Sequence, residues 1–234
     1  MSRQQQFKNR EEVILAVAEQ LLLESGEGDI TLDSLAEQLD LAKGTLYKHF
    51  TSKDELFLRI IIRHEQQLLA LSEVGDCPAA GVARLTLFQL INPQKAILLN
   101  QIEERLANSA VGLNKLFSQL YEIRRERMKR LINTTAEYLQ SLHSTMSTRD
   151  YLSTIWAMGQ GGAGLLNSSF YQRYLGRRDT LRFALVQHIL DIPKQYPAAL
   201  QSVDAPTGAS QLNAATHTGN LQTESNLTPR NIKE

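Results

Sequence analysis

Apolar residues recur every three to four positions along most of this chain, and no stretch shows a convincing alternation of apolar and polar residues. That spacing predicts helices and no strands, because side chains three and four positions apart share one face of a helix. The first predicted helix covers 9–25 and ends where Gly26 and Gly28 interrupt the pattern. The pattern as a whole predicts an all-α fold.

Three further helices follow closely. Thr31 is the predicted cap of a second helix, and a turn at 40–42 leads into a short third helix over 43–50. Ser52 is the predicted cap of a fourth helix that continues to about 71, and Glu55 completes a capping box three residues later. The predicted arrangement is two short helices joined by a tight turn, followed by a long helix whose start is marked independently.

The rest of the chain is predicted to be helical up to a polar C-terminal segment. The segment 72–80 contains Gly, Asp and Pro, and this composition predicts a joint between two domains. Five helices are predicted after it, at about 81–91, 94–107, 113–142, 149–175 and 178–191. Residues 205–234 are rich in Thr, Asn, Gln, Ser, Gly and Ala, with few large apolar side chains to offset the entropy cost of ordering. We therefore expect a disordered tail over 197–234.

Charge is balanced over the 234 residues, with 25 Lys and Arg against 25 Asp and Glu. The first 64 residues carry 8 Lys and Arg against 11 Asp and Glu, so this region is net acidic. Such a balance argues against histone-like coating of nucleic acid, and any DNA contact has to come from a few positioned cations. Asp33 and the neighbouring acidic residues would have to face away from phosphate.

Cys77 is the single cysteine, so the chain can form no intramolecular disulfide and no multi-cysteine metal site. The N-terminal residues lack the apolar centre of a signal peptide. No apolar run approaches the roughly 18–20 residues that span a bilayer. We therefore expect a cytoplasmic protein without a membrane segment.

The predicted third helix carries the most informative chemistry in the chain. Polar side chains surround its apolar Leu46 and Phe50, and these are Lys43, Thr45, Tyr47, Lys48 and His49. Side chains in the first turn of so short a helix can reach base edges in a major groove, and the later ones can contact phosphate. Gly44 leaves room for close backbone approach, and Lys53 lies at a helix start where backbone amides favour a phosphate.

Three motifs occur in a fixed order, namely TLDSLA at 31–36, AKGTLYKHF at 42–50 and SKDEL at 52–56. Together they resemble the DNA-binding domain of the tetracycline-repressor (TetR) family of bacterial transcription regulators, over roughly a quarter of the chain. The resemblance implies operator contacts from Thr31, Lys43, Thr45, Tyr47, His49 and Lys53, and it places Gly44 at the family's helix-start glycine. Lys48 is either a further ionic contact or a solvated side chain. Thr31 is a helix cap in either case, and His49 has the alternative of packing within the turn.

The resemblance also implies that the second half binds an inducing ligand and forms a homodimer. It divides the chain into a helix-turn-helix DNA-binding domain at 1–55, a ligand-binding and dimerisation domain at 56–196, and the tail. A dimer is also a physical need, because one short recognition helix reads only a few base pairs. The expected dimer surface combines 149–175 with 178–191, where Gly159, Gly161, Gly162 and Gly164 permit close approach of helices. Alternatively, these glycines only break or kink one helix.

Ligand-binding residues are expected among the large and polar side chains of the helices after the first three. The candidates are Phe88, Ile91, Gln101, Phe117, Tyr121, Arg124 and Trp156. An ordinary packed core is an equal alternative for each of them. The basic run over 124–130 is either a solvated face that pairs with nearby glutamates or the anchor of a carboxylate ligand.

Enzymatic motifs are not recognised. The glycine-rich run at 159–164 lacks the Lys-Ser/Thr ending of a phosphate-binding loop, and His64-Glu65 does not continue into a zinc-binding His-Glu-x-x-His motif. We expect no metal, no cofactor and no enzymatic activity. The sequence predicts a ligand-responsive homodimeric regulator, in the first place a repressor, that binds palindromic double-stranded operator DNA and is released by a small-molecule inducer. The alternative is an all-α interaction or scaffold protein without a specific DNA site, and an all-α enzyme is a remote third.

Overall fold

The computed structural model describes residues 2–73, 75, 77–109, 111–174 and 176–195. Helices without strands make up this part of the chain, which confirms the predicted all-α fold. They are α1 (Arg3–Ser25), α2 (Leu32–Gln38), α3 (Lys43–Leu46), α4 (Lys53–Ser72), α5 (Pro78–Ile91), α6 (Pro93–Ser109), α7 (Asn114–Ser141), α8 (Thr148–Asn167), α9 (Ser169–Tyr174) and α10 (Arg178–Asp191), followed by a 3-10 turn at Ile192–Lys194. The predicted tail at 197–234 lies outside the described residues.

The N-terminal part, which we call the head, consists of α1, α2, α3 and the beginning of α4. Its helices begin where the sequence offers side-chain caps. The Thr31 hydroxyl accepts a hydrogen bond from the Ser34 amide, and Ser34 accepts one from the Thr31 amide in return. Ser52 accepts from the Glu55 amide, as predicted. The Glu55 carboxylate, however, reaches back to the amide and hydroxyl of Thr51 and not to the Ser52 amide.

Several helix bounds differ from the prediction, among them the start of α5, which lies at Pro78 inside the predicted joint, and three other differences have a visible cause. Helix α1 begins at Arg3, six residues before the predicted start, because Ser2 accepts a hydrogen bond from the Gln5 amide and caps it. Helix α3 ends at Leu46, and tight turns carry the backbone on to Phe50. The single helix predicted over 149–175 is two helices, because the backbone of Ser168 is extended between α8 and α9.

The remainder, which we call the body, is built from the rest of α4 and from α5 to α10. Helix α4 runs through the predicted domain boundary at 55–56, and α7 is its main partner. A second apolar cluster joins α5, α7, α8 and α10. Within it the Tyr151 hydroxyl donates to the carbonyl of Ile189 and the Tyr138 hydroxyl to that of Leu190. No helix in the described ranges is both long enough and apolar enough to cross a lipid bilayer.

The glycines of α8 do not break the helix, which is continuous from Thr148 to Asn167. At Gly162 a Cβ would lie 2.7 Å from Cδ1 of Leu185 and 3.0 Å from Cδ2 of Leu90. Gly162 therefore permits α8 to pack closely on α5 and α10 within the same chain. At Gly161 and Gly164 a Cβ would meet nothing within 4 Å. Their use at a surface between two copies remains a prediction.

Candidate nucleic-acid interface

The surface formed by α3 and the start of α2 carries most of the side chains predicted to contact DNA. Leu46 and Phe50 are fully buried and fix this segment on the apolar core of the head. Around them Lys43, Tyr47 and Lys48 are exposed. This leaves two cationic side chains and one phenol exposed on α3 and on the turn that follows it, a segment short enough to enter a major groove.

The backbone of this surface is open. A Cβ at Gly44 would meet no atom within 4 Å, so no part of the described chain covers the start of α3. Thr45 lies beside it and is half-buried. The first turn of α3 is therefore accessible to a large partner such as a duplex.

Asp33 of α2 lies between Lys43 and Tyr47, although the sequence predicted that it would face away from phosphate. Its Oδ2 is 2.6 Å from Nζ of Lys43, and its Oδ1 accepts a hydrogen bond of 3.3 Å from the Tyr47 hydroxyl. The bond from Lys43 lowers the pKa of Asp33, and the same bond raises the pKa of Lys43. Both groups are therefore charged at neutral pH. The separation of ten residues between them has no local sequence signal.

The His49 ring lies inside the head and not on the outer face of α3. It is 5% exposed and stacks on Phe7 of α1 at a centroid distance of 3.9 Å. Its Nδ1 is 3.7 Å from a carboxylate oxygen of Glu11, beyond hydrogen-bonding distance. Burial lowers the pKa of His49, so the ring is neutral at pH 7. The stacked His49 ring therefore holds α1 against the turn that follows α3.

Two other predicted contacts take part in structural bonds. Nζ of Lys53 donates to the carbonyl of Glu27 at 2.6 Å and lies 5.4 Å from the centre of the Phe57 ring. The bond ties the start of α4 to the loop after α1. Thr31 is exposed, and its hydroxyl is engaged with Ser34. A phosphate at Lys53 would have to share the ammonium group with the Glu27 carbonyl.

The body contains a cavity of about 450 Å³ between α4, α5, α6, α7 and α8. Of the seven predicted ligand residues, Arg124 and Trp156 line it. Phe117 and Tyr121 line a second recess beside Arg124. Phe88 stacks on His64, a cavity residue, at 5.6 Å. Ile91 and Gln101 are exposed and line neither space.

An ion-pair network at the wall of the cavity joins α4 to α6 and α7. Glu65 of α4 accepts a hydrogen bond of 2.8 Å from Nε of Arg124 and one of 2.9 Å from Nε of Arg127. The two terminal nitrogens of Arg124 bind both carboxylate oxygens of Glu103. Burial alone would lower the pKa of Arg124, but the bond to Glu103 and the charge of Glu65 outweigh it and raise the pKa. Sequence reasoning missed Glu65, since its partners lie about 60 residues away.

His64 also lines the cavity, which its position in the sequence did not indicate. Burial, and then the positive charge of Lys95, lower its pKa to about 4, so it is neutral at pH 7. Its Nδ1 is buried, with no hydrogen-bond partner in the described part of the chain. The ring therefore offers an unused nitrogen beside the cavity.

A head with an exposed short helix after a tight turn, continued by a helical body around a cavity, is the architecture of a helix-turn-helix transcription regulator. Residues 14–60 match the family model described as bacterial regulatory proteins, tetR family. The chain belongs to this family, which confirms the resemblance seen in the sequence.

Curated relatives support the assignment. Over 144 residues the chain is 30% identical to the nucleoid occlusion factor SlmA of Vibrio atlanticus, and the alignment covers 56% of this chain and 74% of that protein. Over 70 residues it is 34% identical to the SlmA of Vibrio cholerae serotype O1, covering 30% of this chain and only 36% of that protein.

The fold is also that of a solved regulator. The crystal structure of a tetR-family regulatory protein from Rhodococcus RHA1 superposes with a TM-score of 0.59 at 18% identity, over 78% of this chain and 96% of that one. At this identity the superposition shows the fold alone.

Proposed function

We propose that this chain is a homodimeric, ligand-responsive transcription regulator, acting as a repressor, that binds a palindromic operator through α2 and α3. The observation that carries the proposal is the exposed polar face of α3 on a head whose own core is complete. The family is one of regulatory proteins and not of enzymes. The polar face and the family together favour DNA as the partner of the head.

The contacts follow from the geometry of the face. Lys43 and Thr45 in the first turn of α3 would reach base edges, because side chains there point into the groove when the helix lies in it. Tyr47 and Lys48 would bind phosphate from the outer side, and Lys53 would do so after sharing its bond to Glu27. The net acidity of the head means that these few contacts, and not a general field, hold the duplex.

The dimer is supported by apolar side chains exposed on the last helices. Trp156 of α8 is 66% exposed, Phe170 of α9 is 65% exposed and Phe183 of α10 is 73% exposed. Exposed aromatic residues on neighbouring helices are typical of a surface that a second copy covers. Two heads held about 34–36 Å apart would meet successive major grooves on one side of a duplex.

Ligand response is supported by the path of α4. Its first turns belong to the head, while Ile61, His64, Glu65 and Leu68 farther along line the cavity. A ligand that binds better to one position of α4 shifts the population towards that position and so changes the separation of the two heads.

The proposal is tested by selecting fragments of bacterial genomic DNA on the purified protein, then measuring their affinity by gel shift at one fixed salt concentration. Recovery of a palindromic sequence bound at least about 1,000-fold tighter than random duplex is expected. Recovery of no preferred sequence would contradict the proposal and favour the scaffold alternative.

A pair of matched lysine variants then tests whether the exposed polar surface around α3 contacts the DNA. Lys48 in the head and Lys115 at the start of α7 are both exposed, and neither ammonium group has an ion-pair or hydrogen-bond partner among the described residues. Lys48→Ala should weaken binding to the selected sequence and reduce its salt dependence by about one unit of slope, while Lys115→Ala should change neither. Equal behaviour of the two variants would remove Lys48 from the interface.

A further inference from the structure

The guanidinium of Arg127 of α7 is only partly paired within the described residues. Its Nε donates to Glu65 at 2.9 Å, its side chain is 16% exposed, and it lines the cavity. Its terminal nitrogens Nη1 and Nη2 donate to no acceptor within the part of the chain that the structure describes. Arg124, by contrast, uses Nε and both terminal nitrogens on Glu65 and Glu103.

The Nη1 and Nη2 edge of Arg127 faces a cavity and has no acceptor in the described part of the chain, and a carboxylate is the group that fits it. The two terminal N–H groups are parallel and match the two oxygens of a carboxylate, which gives a pair of charge-assisted hydrogen bonds. The carboxylates of Glu65 and Glu103 are already bound on both oxygens by the two arginines. Within the described residues, the carboxylate of Glu104 also lines the cavity, but no hydrogen bond joins it to this edge of Arg127.

The remaining lining has the character of a site for a mainly apolar molecule. Aliphatic and aromatic side chains form most of it, including Leu68, Leu85, Leu131, Leu152, Ile155 and Trp156. The volume of about 450 Å³ lies within the range of small-molecule sites. Neutral polar groups, among them the unpartnered Nδ1 of His64, supply a few orienting hydrogen bonds.

We propose that the cavity binds an amphipathic organic carboxylate, with the carboxylate on Nη1 and Nη2 of Arg127 and the apolar body among the aliphatic residues of the lining. This inference rests on the proposed ligand response and names the class of ligand. An organic cation is the alternative ligand class. Glu104 would favour it, because this carboxylate is exposed at the cavity and has no ion-pair partner in the described residues.

The same geometry connects the ligand to α4. Glu65 of α4 and the ligand carboxylate would bind adjacent N–H groups of one guanidinium, so the ligand competes for the charge that holds α4 to α7. A neutral ligand of the same shape has no such effect. The chemistry of the head group therefore decides both affinity and response.

Trp156 provides the measurement, because it is the single tryptophan in the sequence and lines the cavity. Its fluorescence is followed while the full-length protein is titrated with decanoate, decanol or decylammonium, each below its aggregation concentration. Decanoate should bind at least about tenfold tighter than the other two, which is the size expected for hydrogen bonds to a charged group.

Matched variants on α7 test whether Arg127 recognises the carboxylate or whether the cavity binds only the apolar chain of the probe. Arg127→Gln should lose the preference for decanoate and leave the decanol affinity unchanged. Arg125→Gln, an exposed arginine two residues earlier, should alter neither. If Arg127→Gln does not fold, Arg127→Lys keeps the charge without the fork and should reduce the preference for decanoate severalfold.

The outcomes separate this inference from the function on which it rests. Equal affinities for the three probes, or tightest binding of decylammonium, would overturn the carboxylate assignment and leave the proposed ligand response standing. No change of fluorescence with any probe would contradict the cavity as a ligand site and this inference with it. DNA selectivity in the gel shift is independent of either result.

Discussion

The head and the body of this protein differ in where their charged groups lie. In the head the core is apolar apart from the neutral ring of His49, with Leu35, Leu46 and Phe50 fully buried, and Asp33 and Lys43 pair on the surface. In the body a carboxylate that is 5% exposed, Glu65, is buried beside a cavity and held by two arginines. The difference agrees with the partners proposed above, which are DNA for the head and a small molecule for the body.

A surface that binds DNA needs rigid backing and free polar groups at its face, which an apolar core and short capped helices supply. A cavity that responds to a small molecule needs polar groups inside, and those must be paired to be tolerated. The comparison therefore predicts that substitutions of charged residues act on stability in the body and on DNA affinity in the head.

The largest effect is expected at Glu65. Glu65→Ala leaves two partly buried arginines without their shared acceptor and should lower the free energy of unfolding by about 3–5 kcal/mol. Glu122→Ala removes the exposed partner of Arg125 and should cost less than about 1 kcal/mol. Unfolding in urea, followed by circular dichroism, measures both. Equal losses in the two variants would show that the network does not stabilise the body.

His64 should make the stability of the protein depend on pH. Its pKa is about 4 in the folded state against 6.5 for the free group, so the unfolded chain takes up a proton that the folded chain refuses. The contribution is fully present above pH 6.5 and declines as the pH falls towards 4, by about 3 kcal/mol in total.

Urea unfolding between pH 7 and pH 4 measures this decline. His64→Gln should flatten it, whereas His188→Gln, at an exposed position of α10, should leave it as in the unchanged protein. An identical slope in the His64 variant would contradict the assignment.

Tyr47→Phe and Lys53→Ala address the head. Each removes one predicted phosphate contact and should weaken binding to the selected operator by roughly tenfold in a gel shift at fixed salt. Tyr47→Phe should not change the thermal midpoint, while Lys53→Ala also loses the bond to Glu27 and should lower it by a few degrees. Unchanged affinity in both variants would refute these two roles.

The smallest effect on DNA binding is expected at Asp33, and it tests whether this carboxylate lies on the DNA-facing side of the head. Asp33→Asn frees Lys43 and removes a negative charge from the DNA-facing side, so binding to random duplex should tighten by about threefold with a salt slope steeper by about one unit. Asp40→Asn makes the same change of charge in the adjacent turn and should have little effect. Weaker binding of the Asp33 variant would mean that Asp33 mainly positions Lys43 and Tyr47.

The head could be predicted from the sequence because its determinants are local. The caps Thr31 and Ser52 and the apolar Leu46 and Phe50 lie within a few residues of what they fix, so their spacing is sufficient. The early start of α1 was missed because Phe7, which has no apolar neighbour in sequence, is held by contact with His49.

The body was predicted less completely because its site joins residues distant in sequence. Arg124 and Trp156 were expected at the cavity, and Arg127 only as part of the basic run over 124–130, but Glu65 was not expected there. Helical periodicity does not tell which two helices will face each other. Ile91 fits an apolar stripe equally well on the surface and in a pocket, and the structure has it exposed. Pairing across about 60 residues is information that only the folded chain contains.

The network around Glu65 also constrains how this protein can diverge. Loss of Glu65 alone leaves Arg127 without its carboxylate partner, and loss of Arg124 alone leaves Glu103 without its arginine, so single replacements in the network pass through a less stable intermediate. Descendants should therefore keep the charged set whole or exchange it together for apolar residues. Among relatives, the identities at 65, 103, 124 and 127 should change as a group, and a lineage with the apolar set should have acquired a different ligand.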